Sequence, residues 1–212
     1  MFLALSIGAN AQVKYFTDIN NRQIKTLQVK VAGEPFSDPY IFLGEEEQIE
    51  INFDFMGDGF PRYAYNVIHC NADWTKSQLS PIEYMDGFQG MTIDDYTNSI
   101  STTTQYANYS LFFPNENIQF RVSGNYAILI YEDNNDLPIL SACFSVVEPM
   151  VALNAQSTPL TVLSYKDTYQ QVDIEVDYAD YNISQPANEI KILVRQNQRI
   201  DNQVYLTDAN YY

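Results

Sequence analysis

The segment Gln48-Ile49-Glu50-Ile51-Asn52-Phe53-Asp54-Phe55 alternates polar and apolar residues along its whole length. Only an extended chain sends successive side chains to opposite faces, so this run is expected to be a strand with one buried and one wet face. A lone strand cannot bury its apolar face, which commits the rest of the chain to supplying others. The aromatic content agrees: 17 Tyr and 12 Phe supply rings that suit a pleated, half-buried surface. No stretch sustains a 3.6-residue apolar period, so helix is not expected.

The same period recurs along the chain. Residues 24–31 alternate from Leu27 onward through Val29 and Val31. After Phe55 comes Met56-Gly57-Asp58-Gly59, whose Asp-Gly pair is a turn signal, and then residues 60–70, with Tyr63, Tyr65, Val67 and His69 on one face. This predicts that 48–55 and 60–70 form a hairpin. Further strands are expected at 39–43, 82–86, 106–113, 118–122, 125–131 and 139–147. Asn115-Glu116-Asn117, Ser123-Gly124-Asn125 and Asp133-Asn134-Asn135-Asp136 supply turns between them. Short strands at even spacing predict an all-β, immunoglobulin-like β-sandwich over residues 24–149, ending near Glu148-Pro149. Val151–Leu153, Leu160–Leu163, Gln171–Tyr178 and Ile190–Val194 then begin a second β-domain, residues 150–212. Its four candidate strands fall short of the roughly seven of a sandwich, so it is expected to be incomplete.

The net charge of −16, from 27 acidic and 11 basic residues, argues against nucleic acid or an anionic lipid surface as partner, since both need basic patches. Residues 1–11 read as a signal peptide: Phe2 to Gly8 is a short apolar core and Ala9-Asn10-Ala11 a small-residue cleavage site. The basic leading region is missing, which fits a truncated signal; a mildly apolar tail is the plainer alternative. No run reaches the roughly 18 apolar residues of a spanning helix, and no Cys follows the cleavage site to carry a lipid. The expectation is export without direct membrane insertion.

The chain's only His, only Trp and one of its two Cys fall in His69-Cys70-Asn71-Ala72-Asp73-Trp74, with Glu83-Tyr84-Met85-Asp86-Gly87-Phe88 close behind. A zinc site built on His69 and Cys70 would need further nitrogen or sulfur ligands, and only Cys143 remains. A Cys70–His69 nucleophile pair fails because neighbours on a strand point to opposite faces. Cys70 and Cys143 either bridge or stay as buried thiols, the second being favoured. Asp133-Asn134-Asn135-Asp136 lacks the spaced carboxylates of a calcium loop. There is no Gly-rich phosphate loop, no G-x-S-x-G and no H-E-x-x-H. The expectation is no catalytic residue, no cofactor and no metal. Trp74, Tyr84, Met85 and Phe88 either pack in the core or present an apolar surface to a partner.

Three runs together resemble the type IX secretion plug family. They are Ile68-His69-Cys70-Asn71-Ala72-Asp73-Trp74 leading to Ile82-Glu83-Tyr84-Met85-Asp86-Gly87-Phe88; Asn98-Ser99 through Tyr106-Ala107-Asn108-Tyr109 to Phe113-Pro114-Asn115-Glu116; and Ser123-Gly124-Asn125-Tyr126 with Phe144-Ser145-Val146-Val147-Glu148. They span residues 24 to 150, and Gln196-Asn197 with Arg199 resembles the family's second domain. The resemblance implies a non-enzymatic protein of the periplasm, peripherally attached to the outer membrane. There it would bind and seal the large outer-membrane β-barrel translocon, with Trp74, Tyr84, Met85 and Phe88 as candidate contacts. Two other readings compete. One is a secreted carbohydrate-binding β-sandwich module with Trp74 as its stacking platform. The other is a hydrolase using a spatial pair of carboxylates.

Overall fold

The structure is a computed structural model and describes residues 13–132, 135–158, 170–179, 181–196 and 202–206. The chain divides into two compact units, Met1–Glu148 and Pro149–Tyr212. In the first unit the strands are β1 (Asp18–Ile19), β2 (Ile24–Val31), β3 (Tyr40–Phe42), β4 (Ile49–Met56) and β5 (Tyr63–Cys70). A short helix α1 (Pro81–Tyr84) follows. Then come β6 (Met85–Asp86), β7 (Met91–Thr92), β8 (Tyr96–Asn98), β9 (Tyr106–Phe113), β10 (Gln119–Phe120), β11 (Gly124–Glu132) and β12 (Leu140–Val147). One sheet has the order β2-β4-β9-β8; the other runs β1-β12-β11-β5-β7, with β3 pairing parallel to β12. This is the strand order A-B-E-D against G-F-C of an immunoglobulin-like sandwich. β1 and β3 share one edge of β12, which covers most of a row of backbone groups that would otherwise be open to another chain.

Alternation sets the inner faces. Ile49, Ile51, Phe53 and Phe55 of β4 are buried, as are Ala107, Tyr109, Leu111 and Phe113 of β9. Their neighbours on the outer face make a polar ladder. Asn108 Nδ2 donates to Asn52 Oδ1 at 2.7 Å and Asp54 Oδ1 at 2.8 Å, and Asn52 Nδ2 donates to Ser110 Oγ at 3.0 Å. In β2 both Ile24 and Leu27 point inward although they are three residues apart. A β-bulge reconciles them: Thr26 takes φ +52°, and Thr26 and Leu27 together oppose Phe53. The alternation seen from Leu27 onward begins at this bulge.

The expected hairpin of 48–55 with 60–70 does not form. β4 pairs with β2 and β9, whereas β5 pairs with β11 and β7 in the facing sheet. A period of two fixes which face is buried and says nothing about which strand lies alongside. The strand expected at 82–86 also differs. Ser80 N–H and hydroxyl both donate to the Glu83 carboxylate at 2.7 Å, and Pro81 takes the first helical position, so α1 forms and only Met85–Asp86 is extended. Likewise 118–122 shortens to Gln119–Phe120.

Between the sheets the rings meet directly. Phe53 and Tyr63 lie 5.7 Å apart, Tyr63 and Tyr109 4.9 Å, and Tyr65 and Phe113 5.2 Å, all near edge-to-face. Tyr126 on β11 donates its hydroxyl to the Val122 carbonyl at 2.7 Å, four residues upstream, with the Tyr84 carbonyl at 3.2 Å. This is the tyrosine-corner arrangement that locks the turn into the F strand of such sandwiches.

In the second unit β13 (Ala152–Thr158) pairs antiparallel with β14 (Gln171–Asp177), and after helix α2 (Pro186–Glu189) β15 (Ile192–Val194) pairs with β16 (Val204–Leu206). The strand expected at Leu160–Leu163 and residues Asn197 and Arg199 lie outside the described residues.

Tyr126→Phe keeps the ring and removes the hydroxyl. It is expected to cost about 1 kcal/mol, read as a lower urea midpoint at unchanged m-value.

Candidate functional site

The run that stands out in the sequence folds as one connected corner at the end of β5. Asn71 N–H donates to the Thr75 carbonyl at 2.8 Å and Trp74 N–H to the Asn71 carbonyl at 2.9 Å. Asp73 Oδ1 accepts from Thr75 N–H at 3.1 Å and its hydroxyl at 2.6 Å, which holds the Asp73 carboxyl below the usual carboxylate range. Trp74 sits at φ +67°. Its indole leans on a small cluster on the outer face of β11, made of Cys70, Ala127 and Cys143 with Tyr15 and Ile68. The chain entering β1 runs over the same face, and Tyr15 N–H donates to the Trp74 carbonyl at 2.9 Å.

Both thiols are free and buried. Burial pushes each of them up to about 12. Cys143 lies opposite Ala127, and Cys70 lies opposite Asn125 across the other edge of β11. Two strand spacings, roughly 10 Å, separate their backbones, beyond the roughly 7 Å limit for a bridge.

His69 points to the inner side. Its Nε2 lies 3.2 Å from the Ser123 carbonyl, which only accepts, so Nε2 carries the proton and Nδ1 accepts from the Ser77 hydroxyl at 2.9 Å. Its ring stacks on Tyr84 at 5.7 Å and meets Tyr126 edge-on at 5.1 Å. Burial lowers its basicity, and both nitrogens are occupied, so it is a packed neutral imidazole. Gly124, at φ +143°, makes room for it: a Cβ there would sit 2.3 Å from His69 Nε2.

Of the four candidate contacts, the structure withdraws two. Tyr84 and Met85 are 2% and 1% exposed and belong to the main core. Tyr84 donates its hydroxyl to the Val67 carbonyl at 2.8 Å, so neither side chain reaches a partner. Trp74 is partly buried against Cys70, Ala127 and Cys143, and its Nε1 is buried with no hydrogen-bond partner. Phe88 is 79% exposed. It follows Gly87, at φ +133°, where a Cβ would fall 2.1 Å from the Asn117 carbonyl oxygen. Ile82 on α1, which sequence reasoning passed over inside an expected strand, is 73% exposed. Arg121 pairs with Asp86 and donates through Nη1 to the Ile82 carbonyl at 3.0 Å, fastening this corner to the chain after β10. Buried Tyr84 and Met85 thus anchor a short element that projects Ile82 and Phe88 into solvent. Among the described residues no group of three His, Cys, Asp or Glu is placed to hold a metal ion.

A family profile described as the type 9 secretion system plug protein 1st domain matches residues 24–148. The chain belongs to this family. The match covers the sandwich from β2 to β12, with the anchored corner described above. A crystal structure of a hypothetical protein from Parabacteroides merdae is similar at 58% identity and a TM-score of 0.85, over 92% of this chain and 49% of that one. The plug-family chain therefore spans about half the length of that relative. A DNA-bound alkylpurine DNA glycosylase from Pseudomonas fluorescens aligns at 12% identity and a TM-score of 0.29, over 58% of this chain and 30% of its own, too low to carry an argument. No curated protein matches.

Gly124→Ala is expected to cost roughly 2–4 kcal/mol, from backbone strain plus displacement of His69, measured by urea unfolding. The Cys70 and Cys143 thiols are expected to stay unmodified by a thiol reagent from pH 7 to 9 in the folded chain and to react fully once it is unfolded.

Proposed function

We propose that this plug-family protein acts without catalysis, binding the large outer-membrane β-barrel translocon of the type IX system from the periplasmic side and sealing it. The family match over residues 24–148 carries this reading. The site chemistry supports it. His69 has both ring nitrogens engaged and the two thiols are held protonated at neutral pH, which leaves this corner without a nucleophile or base. A seal needs area and fixed shape, about 800 Å² per partner for a stable contact, and a sandwich with braced loops supplies both.

Ile82 and Phe88 are the contacts we assign to the barrel, with Trp74 as the buttress of the neighbouring loop. Apolar side chains on buried anchors lose little conformational freedom on docking, which is the property of an interface hot spot. The chain would reach the periplasm through the signal at residues 1–11, which lie outside the described residues, and attach peripherally. No helix among the described residues is long and apolar enough to cross a membrane. The carbohydrate-binding reading based on Trp74 is less favoured, since that indole packs against Cys70, Ala127 and Cys143.

Affinity purification of the tagged full-length protein from detergent-solubilised outer membranes tests this. The expected result is co-recovery of one very large β-barrel protein at near-equal stoichiometry. Ile82→Asp with Phe88→Asp should reduce that recovery at least about tenfold while leaving the unfolding midpoint unchanged. Recovery of the protein alone, where other membrane complexes stay intact, overturns the reading.

A further inference from the structure

The opposite end of the sandwich carries a second feature that the plug reading does not use. Loops 57–62 and 99–105 meet there around an open cleft of about 370 Å³, lined by Asp58, Phe60, Asn98, Gln105 and Tyr106. Phe60 and Tyr106 are 53% and 36% exposed. Exposed rings beside amides and a carboxylate form a mixed lining, with flat apolar faces and hydrogen-bonding groups around their edges.

The lining is braced. One face of Phe60 stacks on Tyr96 at 5.1 Å, Tyr96 leans on Tyr109 at 5.5 Å, and Tyr109 stacks on Phe53 in the core at 5.2 Å. Tyr109 also donates its hydroxyl to the Pro61 carbonyl at 2.7 Å, fixing the loop that carries Phe60. Gly57 N–H donates to the Gln105 carbonyl at 3.2 Å, tying the two loops together, and Tyr106 N–H donates to Ser99 Oγ at 3.0 Å, closing the second loop on itself. Among the described residues the Asp58 carboxylate and the Asn98 side-chain amide have no intramolecular hydrogen-bond partner, and Gln105 uses only its Oε1, accepting from Ser99 Oγ at 3.4 Å. The polar groups at the rim are therefore available to a ligand, and the Phe60 face of the platform is fixed before it arrives.

We infer that this cleft binds a neutral, equatorially linked glycan of gluco-configured sugars, stacked on Phe60 and Tyr106 and hydrogen-bonded by Asp58, Asn98 and Gln105. In an all-equatorial pyranose the axial C–H bonds make a flat apolar face that lies on an aromatic ring, while the hydroxyls radiate in the ring plane. A carboxylate and amides at the edge of the platform meet those hydroxyls as acceptors and donors. Asp58 and the net charge of −16 disfavour anionic sugars, which selects a neutral chain. The site is independent of the barrel contact, which uses Ile82 and Phe88 at the other end of β5.

Isothermal titration calorimetry of the full chain with cellohexaose and with chitohexaose tests this. Binding of at least one, with Kd on the order of 0.1–1 mM, is expected. Phe60→Ala and Asn98→Ala should each weaken it at least about tenfold, while Phe60→Trp preserves it by keeping a stacking face. Asn98→Ala leaves the ring ladder intact, so it remains informative if Phe60→Ala loosens the loop; unfolding midpoints report which case holds. No heat from either glycan at about 10 mM overturns the proposal, and so does binding that both alanine variants leave unchanged. Neither outcome bears on co-purification of the barrel, so the two readings fail separately.

Discussion

The contact on which this sandwich depends is the meeting of aromatic rings between its two sheets. Phe53 and Tyr109 of one sheet close on Tyr63 of the other, and Phe113 closes on Tyr65 and Phe144. Each such pair adds about 0.5–1.5 kcal/mol beyond the area it buries, and it fixes geometry as well. Rings set the spacing of the layers and the rotation of one sheet against the other. In antibody domains a disulfide between strands B and F sits at that place. Here the cysteines are on strands C and G, on the outer face, so the inter-sheet core is held by packing alone.

Both proposed sites are extensions of this core. At one end Tyr84, His69 and Tyr126 form a second ring cluster, and Gly124 and Gly87 allow the backbone approaches that seat it. The outcome is a corner whose buried residues hold Ile82 and Phe88 in the open. At the other end the ladder Phe53, Tyr109, Tyr96, Phe60 carries ring contact from the centre of the core to the surface. A rigid surface group loses less entropy on binding than one ordered by its ligand, so recognition benefits from the same packing that stabilises the fold.

The run His69 to Trp74 shows how rare side chains mislead when read singly. One His, one Trp and a Cys within six positions look like chemistry. In the structure they fall on opposite faces of the sheet, Trp74 from the turn that follows β5. His69 faces the core between two hydrogen-bond partners, and Cys70 with Trp74 covers the outer face beneath Tyr15. Tyr84 and Met85 read as contact residues for a related reason. Their exposure depends on α1, which the capping pair Ser80 and Glu83 imposes on a stretch that otherwise looks extended. The cleft at Phe60 and Tyr106 left no local signal at all, because its walls come from loops some forty residues apart in the chain.

The sequence by itself determined the secondary structure class and the inner faces of β4 and β5, because alternation with a period of two has only one physical solution in water. Strands 106–113 and 139–147 are legible to within a residue. The three runs that resemble the plug family all lie within the matched residues 24–148. What only the tertiary structure decided is which strands are neighbours and which loops meet. The Asp-Gly turn after β4 looks like a hairpin turn, yet the chain crosses to the facing sheet, since β9 completes β4 and aromatic rings on β5 fill the layer between them. Local pattern fixes a strand's faces; only competition among all the strands for edges and for the shared core fixes its partners.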